Sequence, residues 1–372
     1  MSIYDKFAYY VNKLLSKSNT GREIKRLLLY NPAALGDVWY TLRLANAIKT
    51  ANPCIEIGLL VGSWSADMVH ECADVSYVHI VDHPIMVRKN LPCWKKIKQY
   101  WLTRRKALQE IKSINYDLAV DCYYFFPSAS LLFYQAGIAK RIGYDSREGS
   151  SLYTKCLNWQ IKDIHNVEYQ ADLLNLYKIN VVNLEKSKVN FCEKIDTAYT
   201  HNDQLQDGYI VVSVGTGDPM REWPIEKWLV LLEMLKEYEY KVVFVGAGRK
   251  ESERIELLRR KLSYSTISLC NKLTIVQLAS IISKSNLFIG LESFTGHIAA
   301  TYKIPQVSIM HGFTNQNHWQ PYANPNCIVI RKNIECSPCY FPSRCKKSNL
   351  CMDISCDDVI RAVRCLMEKN KK

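Results

Sequence analysis

The sequence lacks any apolar run that approaches the roughly 20 residues needed to span a bilayer as a helix. Its first residues, MSIYDKFAYYVNKLLSK, contain neither the apolar core nor the small-residue cleavage site of a secretory signal. Both absences favour a cytoplasmic protein. Disorder is excluded as well, because hydrophobic residues make up 48% of the chain and charged residues only 23%.

Complete nucleotide-binding fingerprints are also missing. Gly215-Thr216-Gly217 and Gly246-Ala247-Gly248 each follow a predicted strand, yet both lack the third glycine of the dinucleotide motif, and neither is a P-loop. Each turn either brings backbone N–H groups close to a phosphate, since glycine has no Cβ, or only satisfies a tight strand-to-helix connection. The turns alone leave nucleotide binding and a purely structural role equally open.

Acidic residues are few relative to basic ones: 36 Asp and Glu against 49 Lys and Arg give a net charge of +13. Between residues 88 and 112, nine residues are basic and only Glu110 is acidic, and Trp94, Tyr100 and Trp101 are interleaved with them. This stretch is either a solvated helix face or a surface for an anionic membrane or glycolipid. No nucleic-acid-binding fingerprint accompanies it, so nucleic acid is not an expected partner.

The fourteen cysteines are unevenly distributed, and five of them fall within residues 336–356. A disulfide framework is disfavoured without an export signal. The cluster has the count and compactness of a structural tetrathiolate zinc or iron site, with reduced, packed thiols as the alternative. The candidate ligands are Cys336, Cys339, Cys345 and Cys351.

Strand-like and helix-like segments alternate through two successive halves of the chain, and 372 residues is too long for one ordinary core. This order predicts an α/β protein with two Rossmann-like, doubly wound parallel sheets and a substrate cleft between them. We assign residues 1–24 to a helical leader, 25–185 to a first domain, 186–207 to a linker and 208–372 to a second domain. The main expected strands are residues 26–30, 55–61, 75–81, 117–122, 209–214, 241–245, 266–269, 287–289 and 306–310.

Two further loops carry side chains of the types that bind phosphate or act as a general base. Residues 290–296 are expected to form a loop that opens a helix at His297. A helix N-terminus with hydroxyls and a histidine can seat a pyrophosphate without a metal, although a capped helix with His297 packed against its neighbour explains the same residues. In the first half, Asp37 is either the N-cap of its helix or a general base aimed into the cleft.

Taken together, these segments resemble glycosyltransferase family nine, the ADP-heptose:lipopolysaccharide heptosyltransferases of the two-domain GT-B fold. The similar segments occur in the family's order over residues 25–365. They are residues 35–38, 116–121, 141–145, 221–228, 245–247 with Glu251 and Glu253, 292–300, and 336–339 with Cys345 and Cys351.

The resemblance implies inverting transfer without a catalytic metal, with Asp37 as the general base that takes the proton of an acceptor hydroxyl. It also implies that Arg221 and His297 stabilise the leaving diphosphate. One of Glu251 and Glu253 would hold the ribose. The full set of residues implied in donor binding is Gly215, Thr216, Arg221, Gly246, Glu251, Glu253, Glu292, Ser293, Thr295, Gly296 and His297.

ADP-heptose is the donor that the resemblance implies, and an anionic inner-core lipopolysaccharide at the cytoplasmic membrane face is the implied acceptor. Glu292-Ser293-Phe294 replaces the Asp-Thr-Gly usual in the family, which is a departure at the point where the sugar is read. Two alternatives keep the fold: a protein acceptor of the autotransporter class, or a non-catalytic nucleotide-sugar-binding protein. The expected acceptor-binding residues are Arg43, Lys95, Lys96, Arg104 and Arg105.

Overall fold

The computed structural model describes residues 23–88, 91–146, 150–192, 205, 208–340, 345 and 349–369. The chain divides into two units, Met1–Cys192 and Glu193–Lys372. Most of the leader predicted at residues 1–24, and most of the linker predicted at residues 186–207, lies outside the described residues.

The first unit contains a parallel six-stranded sheet with the strand order β3-β2-β1-β4-β5-β6. Its inner strands are short apolar runs buried along nearly their whole length, which is typical of a parallel sheet covered on both faces. The strands are β1 (Arg26–Asn31), β2 (Glu56–Val61), β3 (Tyr77–Ile80), β4 (Leu118–Asp121), β5 (Lys140–Tyr144) and β6 (Lys155–Leu157).

Helices connect these strands as right-handed crossovers require. They are α1 (Leu35–Ala51), α2 (Ser63–His70), α3 (Cys93–Ile114), α4 (Ser130–Gln135) and α5 (Asn166–Leu174). Helix α1 is buried over most of its length because it packs on β1 and on α5, so apolar residues surround its axis. Helix α3 differs, since only Arg104, Ala107 and Ile111 on one face are buried.

The second unit repeats this topology in a sheet ordered β12-β11-β10-β7-β8-β9. Its strands are β7 (Tyr209–Ser213), β8 (Lys241–Phe244), β9 (Ile267–Ser268), β10 (Leu287–Leu291), β11 (Gln306–Met310) and β12 (Cys327–Arg331). Its helices are α6 (Ile225–Leu235), α7 (Arg249–Lys261), α8 (Ile275–Ser283), α9 (Phe294–Thr301), α10 (Gln316–Trp319) and α11 (Cys356–Lys369).

Aromatic packing fixes the core of the second unit. Trp223 and Trp228 are fully buried and meet edge to face, with ring centroids 5.2 Å apart. The indole N–H of Trp223 donates to the carbonyl of Ile354 at 3.0 Å, which ties the segment before α11 to this core. The buried Trp223 indole therefore has the polar partner that its N–H requires.

The strand succession reverses between β1 and β4 in the first sheet and between β7 and β10 in the second. At such a switch point the loops leaving neighbouring strands diverge, and a crevice opens at the carboxyl ends of the strands. Asp37 follows β1, whereas most of the predicted donor-binding residues follow β7, β8 and β10. Each predicted site therefore lies at the edge of its sheet where this fold class binds ligands.

The α/β fold with two doubly wound parallel sheets is confirmed. Three local predictions differ from the structure: β12 and α11 had no assigned element, and the helix expected to open at His297 begins at Phe294. Strand β10 continues through Leu291, paired with Ile309 of β11, so only residues 292 and 293 separate the strand from the helix, instead of the loop expected at 290–296. Among the described residues, no helix combines the length and apolarity that crossing a bilayer requires.

Candidate active site

Asp37 lies in the first turn of α1 but does not cap it. The N-cap position is Ala34, which offers no side-chain acceptor, so the interpretation of Asp37 as the N-cap is wrong. Its carboxylate accepts a hydrogen bond from Nδ2 of Asn166 at 3.1 Å. Asn31 at the end of β1 donates to the carbonyl of Asp37 at 3.3 Å and to the Thr41 hydroxyl at 2.8 Å, so the turn that carries Asp37 is held from two sides.

The partner of this carboxylate is itself positioned by a well-formed helix start. Asn166 is the first residue of α5, whose N-cap is His165. Nδ1 of His165 accepts from the N–H of Val167, and Glu168 accepts from the N–H of His165, which completes a capping box. Asn166 was not predicted as a site residue, because it is 129 positions from Asp37 in the chain.

An aromatic cluster lies beside Asp37. The ring of Tyr124 stacks on Trp159 with centroids 4.0 Å apart, and Tyr169 lies 5.3 Å from Tyr124. Burial raises the pKa of Tyr124, and the charge of Asp37 raises it further, so this phenol stays protonated at neutral pH. Tyr169 belongs to α5, the helix whose first residue, Asn166, donates to Asp37, so the aromatic cluster lies near this carboxylate.

Arg43 is not available to an acceptor, and its prediction as an acceptor-binding residue is wrong. Only 1% of the residue is exposed. Its Nε donates to the carbonyl of Ser187 at 3.0 Å, and Nη2 donates to the carbonyls of Leu184 and Glu185 at 3.3 Å. The guanidinium therefore fastens residues 184–187 to α1, and its role is structural.

The basic residues predicted on α3 separate into two groups. Arg104 is buried, its guanidinium donates to Gln135 of α4, and so it cannot face an acceptor. Lys96 is half-buried and donates to the carbonyl of Val87 at 2.8 Å. Lys95 and Arg105 are exposed and keep their predicted accessibility.

In the second unit, Glu251 joins the two glycine turns. Its carboxylate accepts from the N–H of Ala247 at 3.0 Å and also from the backbone of Gly215. A Cβ on Gly215 would lie 2.2 Å from the Glu251 Cδ, and one on Gly246 would lie 2.3 Å from it. A side chain at either glycine would therefore force this carboxylate to move.

Glu251 and Glu253 are not equivalent, although both were ribose candidates. Burial raises the pKa of Glu251 despite the hydrogen bonds from Ala247 and Gly215, which oppose this shift. Glu253 is exposed and pairs with Arg249 at 2.7 Å on the outer surface of α7. Only Glu251 lies with the glycine turns at the sheet edge.

Hydroxyl groups link the start of α9 to β7. The hydroxyl of Thr295 donates to that of Ser213 at 2.9 Å and lies 2.8 Å from that of Ser293. Gly296 is held by Gln306, whose Nε2 donates to its carbonyl at 3.1 Å. The predicted Ser293, Thr295 and Gly296 are thus brought together with Ser213, which the sequence analysis did not single out.

Glu292 is the centre of a buried charge cluster. Its Oε1 lies 3.4 Å from Nη1 of Arg221, and its Oε2 lies 2.9 Å from Nε2 of His311. Burial alone would raise the pKa of Glu292, but contact with His311 and the charges of His311, Arg221 and His297 outweigh it and hold the pKa below its usual range. The glutamate is therefore ionised at neutral pH.

His311 and Phe313 belong to this cluster and were missed in the sequence analysis. Nδ1 of His311 accepts from the N–H of Phe313 at 3.2 Å, so Nε2 is the ring nitrogen that faces Glu292. The two rings stack with centroids 3.5 Å apart, and the Arg221 guanidinium lies 5.0 Å from the Phe313 ring centroid. The sequence did carry a signal for His311: it is a polar residue directly after the carboxyl end of β11, the strand next to β10.

Several polar atoms around this cluster are buried but unsatisfied. Among the described residues, no hydrogen-bond partner exists for the hydroxyls of Thr216 and Thr314 or for Nε of Arg221. These residues follow β7 and β11, the strands that flank β10. Since a buried polar atom without a partner costs about 1–3 kcal/mol, such a concentration indicates a surface that binds a polar ligand.

The four predicted metal ligands carry free thiols. Burial raises the pKa of Cys351, and Cys345 and Cys339 raise it further, so each of these two lies within electrostatic reach of Cys351. Within the part of the chain that the structure describes, no three His, Cys, Asp or Glu side chains converge as metal ligands would. Metal binding by Cys336, Cys339, Cys345 and Cys351 stays a prediction.

Comparison with known proteins identifies the family of this chain. The sequence profile described as glycosyltransferase family 9 (heptosyltransferase) matches residues 104–349. Lipopolysaccharide heptosyltransferase 1 of Pseudomonas aeruginosa is 24% identical over 331 residues, which cover 84% of this chain and 86% of the relative.

Solved structures share the fold. A glycosyltransferase family 9 protein from Veillonella parvula has a TM-score of 0.72 at 19% identity, covering 93% of this chain and 97% of its own. The E. coli heptosyltransferase WaaC with ADP has a TM-score of 0.68 at 19% identity, covering 92% and 99%. These likenesses extend through both units of the chain.

Proposed function

Because this chain belongs to glycosyltransferase family 9 and is therefore a glycosyltransferase, we propose that it transfers heptose from ADP-heptose to an inner-core lipopolysaccharide acceptor, with inversion at the anomeric carbon. The observation that carries the proposal is the cluster of Glu292, Arg221 and unsatisfied hydroxyls at the carboxyl edge of the second sheet. The names of the heptosyltransferase relatives support the sugar and the nucleotide.

In this proposal the second unit binds the donor. Arg221 supplies positive charge to the diphosphate, whose negative charge grows as the sugar leaves, and the hydroxyls of Thr216 and Thr314 donate hydrogen bonds to it. The early turn of α9, with Thr295 and Gly296, adds the positive end of a helix. The ionised Glu292 accepts hydrogen bonds from sugar hydroxyls, while Glu251 holds together the glycine turns on which the nucleotide rests.

The first unit supplies the base. Asp37 removes the proton from the acceptor hydroxyl as that oxygen attacks the anomeric carbon opposite the nucleotide. The hydrogen bond from Asn166 orients the carboxylate. Proton removal matters because a neutral hydroxyl is a weak nucleophile, and the leaving diphosphate needs no metal if the protein supplies its counter-charge.

The acceptor is an anionic glycolipid, so the enzyme works at the cytoplasmic face of the inner membrane. Lys95 and Arg105 are the accessible members of the acceptor set, and both project from α3. Their positive charge suits the phosphate and carboxylate groups of a lipopolysaccharide core.

The test is a transfer assay with purified protein, in which ADP-heptose is the donor and UDP-sugars are the comparison donors. A lipid acceptor and an autotransporter protein are offered separately, and the product is identified by its mass. Asp37→Asn should lower kcat by about 10²–10⁴-fold and leave ADP affinity unchanged. Asp67→Asn on α2 is the matched control, because this carboxylate is exposed on another helix. Near-normal turnover of Asp37→Asn, or product on the protein acceptor alone, contradicts the proposal.

Metal independence is tested in the same assay by dialysis against a chelator, which should leave kcat unchanged. Elemental analysis of protein purified without oxidants tests the cysteine prediction separately. Zinc or iron in a one-to-one ratio, absent from Cys336→Ser, supports a structural site.

A further inference from the structure

Large exposed apolar side chains are concentrated in one part of the first unit. Of fourteen such side chains among the described residues, eight lie between Ile85 and Leu131. Trp94, Trp101 and Leu102 are each about 60% exposed or more, at 62%, 59% and 62%. The eight are Ile85, Trp94, Ile97, Trp101, Leu102, Phe125, Phe126 and Leu131.

On α3 these side chains share a face with basic residues. Trp94, Lys98, Trp101 and Arg105 follow one another at intervals of four, three and four positions, which places all four on one side of an α-helix. A different face carries the buried Arg104, Ala107 and Ile111, and α3 packs on β3. The tryptophans therefore point away from the core because the helix already has a separate buried face.

The apolar surface continues beyond α3. The His83 ring lies 5.3 Å from Tyr100 of α3 and 5.1 Å from Phe126, which follows β4. Arg104 donates to Gln135 of α4, the helix that also carries Leu131 one turn earlier. The exposed residues of α3, of the loop after β4 and of α4 thus form one connected surface, here called the docking surface.

Its chemistry is that of a membrane interface. The Lys95 ammonium lies 5.4 Å from the centroid of the Trp94 ring, and Lys98, Arg105 and Lys106 are exposed on the same helix. Indole rings favour the boundary between headgroups and acyl chains, and basic side chains next to them pair with anionic headgroups. A surface for another protein would have an apolar centre with its charges at the rim, whereas here the charges alternate with the rings.

We propose that the docking surface binds the anionic headgroup region of a lipid bilayer, with Trp94, Trp101 and Phe126 inserted at the interface. This inference deepens the proposed function, since it names the surface through which the enzyme reaches a lipid-linked acceptor. The Phe125 ring adjoins Tyr124, and Tyr124 contacts Tyr169 of α5, the helix whose Asn166 donates to Asp37. Docking therefore holds the bilayer near the side of the unit that carries the catalytic carboxylate.

The experiment is flotation of the full chain with vesicles of phosphatidylcholine alone or mixed with phosphatidylglycerol, without donor or acceptor. We expect binding to the mixed vesicles only, weakened by salt. Lys98→Glu/Arg105→Glu should lower the partition coefficient at least about tenfold, because each basic residue near the surface contributes about fivefold or more. Trp94→Ser/Trp101→Ser should lower it on the same vesicles by a similar factor.

Matched controls lie on exposed parts of the second unit. Arg260→Glu/Lys261→Glu makes the same charge change, and Val230→Ser/Leu257→Ser removes apolar side chains of similar exposure. Equal losses in variants and controls overturn the proposal, as does binding that persists in both docking-surface variants. A wild type that is dimeric by light scattering and becomes monomeric in Trp94→Ser/Trp101→Ser without losing vesicle binding also overturns it, since a second copy then covers this surface.

The docking result is separable from the transfer reaction. With a delipidated acceptor in solution, Trp94→Ser/Trp101→Ser should keep wild-type kcat, whereas with the acceptor embedded in vesicles the rate of this variant should fall in parallel with its binding. Vesicle binding without any transfer activity leaves the docking surface standing and removes only the proposed reaction. Loss of transfer to the soluble acceptor contradicts a role restricted to docking.

Discussion

The contact between Gly215 and Glu251 yields a quantitative prediction. In Gly215→Ala the new methyl carbon would lie 2.2 Å from both Cδ and Oε1 of Glu251, far inside van der Waals contact. The carboxylate is the end of a flexible side chain and can move away, but it then loses its hydrogen bonds from Ala247 and Gly215. The substitution therefore acts by displacing a carboxylate from two backbone N–H groups.

The cost follows from those two bonds. Hydrogen bonds to a charged group contribute about 1.5–3 kcal/mol each, and relief of the burial that raises the pKa of Glu251 offsets part of this loss. We expect Gly215→Ala and Glu251→Ala each to lower the free energy of unfolding by about 2 kcal/mol. The double variant should cost little more than Glu251→Ala alone, because the methyl group then occupies the space that the carboxylate left. The coupling energy is thus about 2 kcal/mol.

The assay is urea unfolding of the four proteins, with ADP affinity measured by calorimetry at low temperature. Each single variant should also bind ADP more weakly, since the glycine turns are no longer joined. Glu253→Ala is the control background, because Glu253 pairs with Arg249 on the exposed surface and its effect should add to that of Gly215→Ala. Strictly additive costs in the Gly215→Ala/Glu251→Ala cycle refute the reasoning.

Two further predictions concern buried charges. Arg43→Met should lower the free energy of unfolding by about 3 kcal/mol in urea titrations, because the guanidinium donates to three backbone carbonyls. The acceptor KM should stay unchanged. A raised acceptor KM in folded protein would show that Arg43 does bind the acceptor. The depressed pKa of Glu292 makes its charged form stabilising, so this stability is present above the ordinary value of 4.5 and is lost as pH falls through the lower folded pKa. Melting temperatures across that acidic range should therefore fall less steeply in Glu292→Gln than in wild type, and parallel curves would contradict the assignment.

Much of the fold could be predicted because the signals are local. Short apolar runs buried on both sides indicate parallel strands, and glycine turns after them mark where the chain enters a helix. The loop before α9 is shorter than expected at both ends: β10 extends to Leu291 through its pairing with β11, and α9 begins at Phe294 rather than at His297. The segment between β11 and β12 has no helical pattern long enough to predict a crossover connection. The place of β12 at the sheet edge is therefore evident only from the topology.

By itself, the sequence determined the two-unit α/β architecture, the family and the chemical types of the candidate groups, including Asp37, Arg221 and Glu292. These depend on residue identity, spacing and order along the chain. Only the tertiary structure decided which groups are paired. It joined Asp37 to Asn166 across 129 positions, buried Arg43 against residues 184–187, and brought His311 to Glu292. Such contacts depend on strand order and on helix burial, which bring distant segments together and which no local pattern encodes.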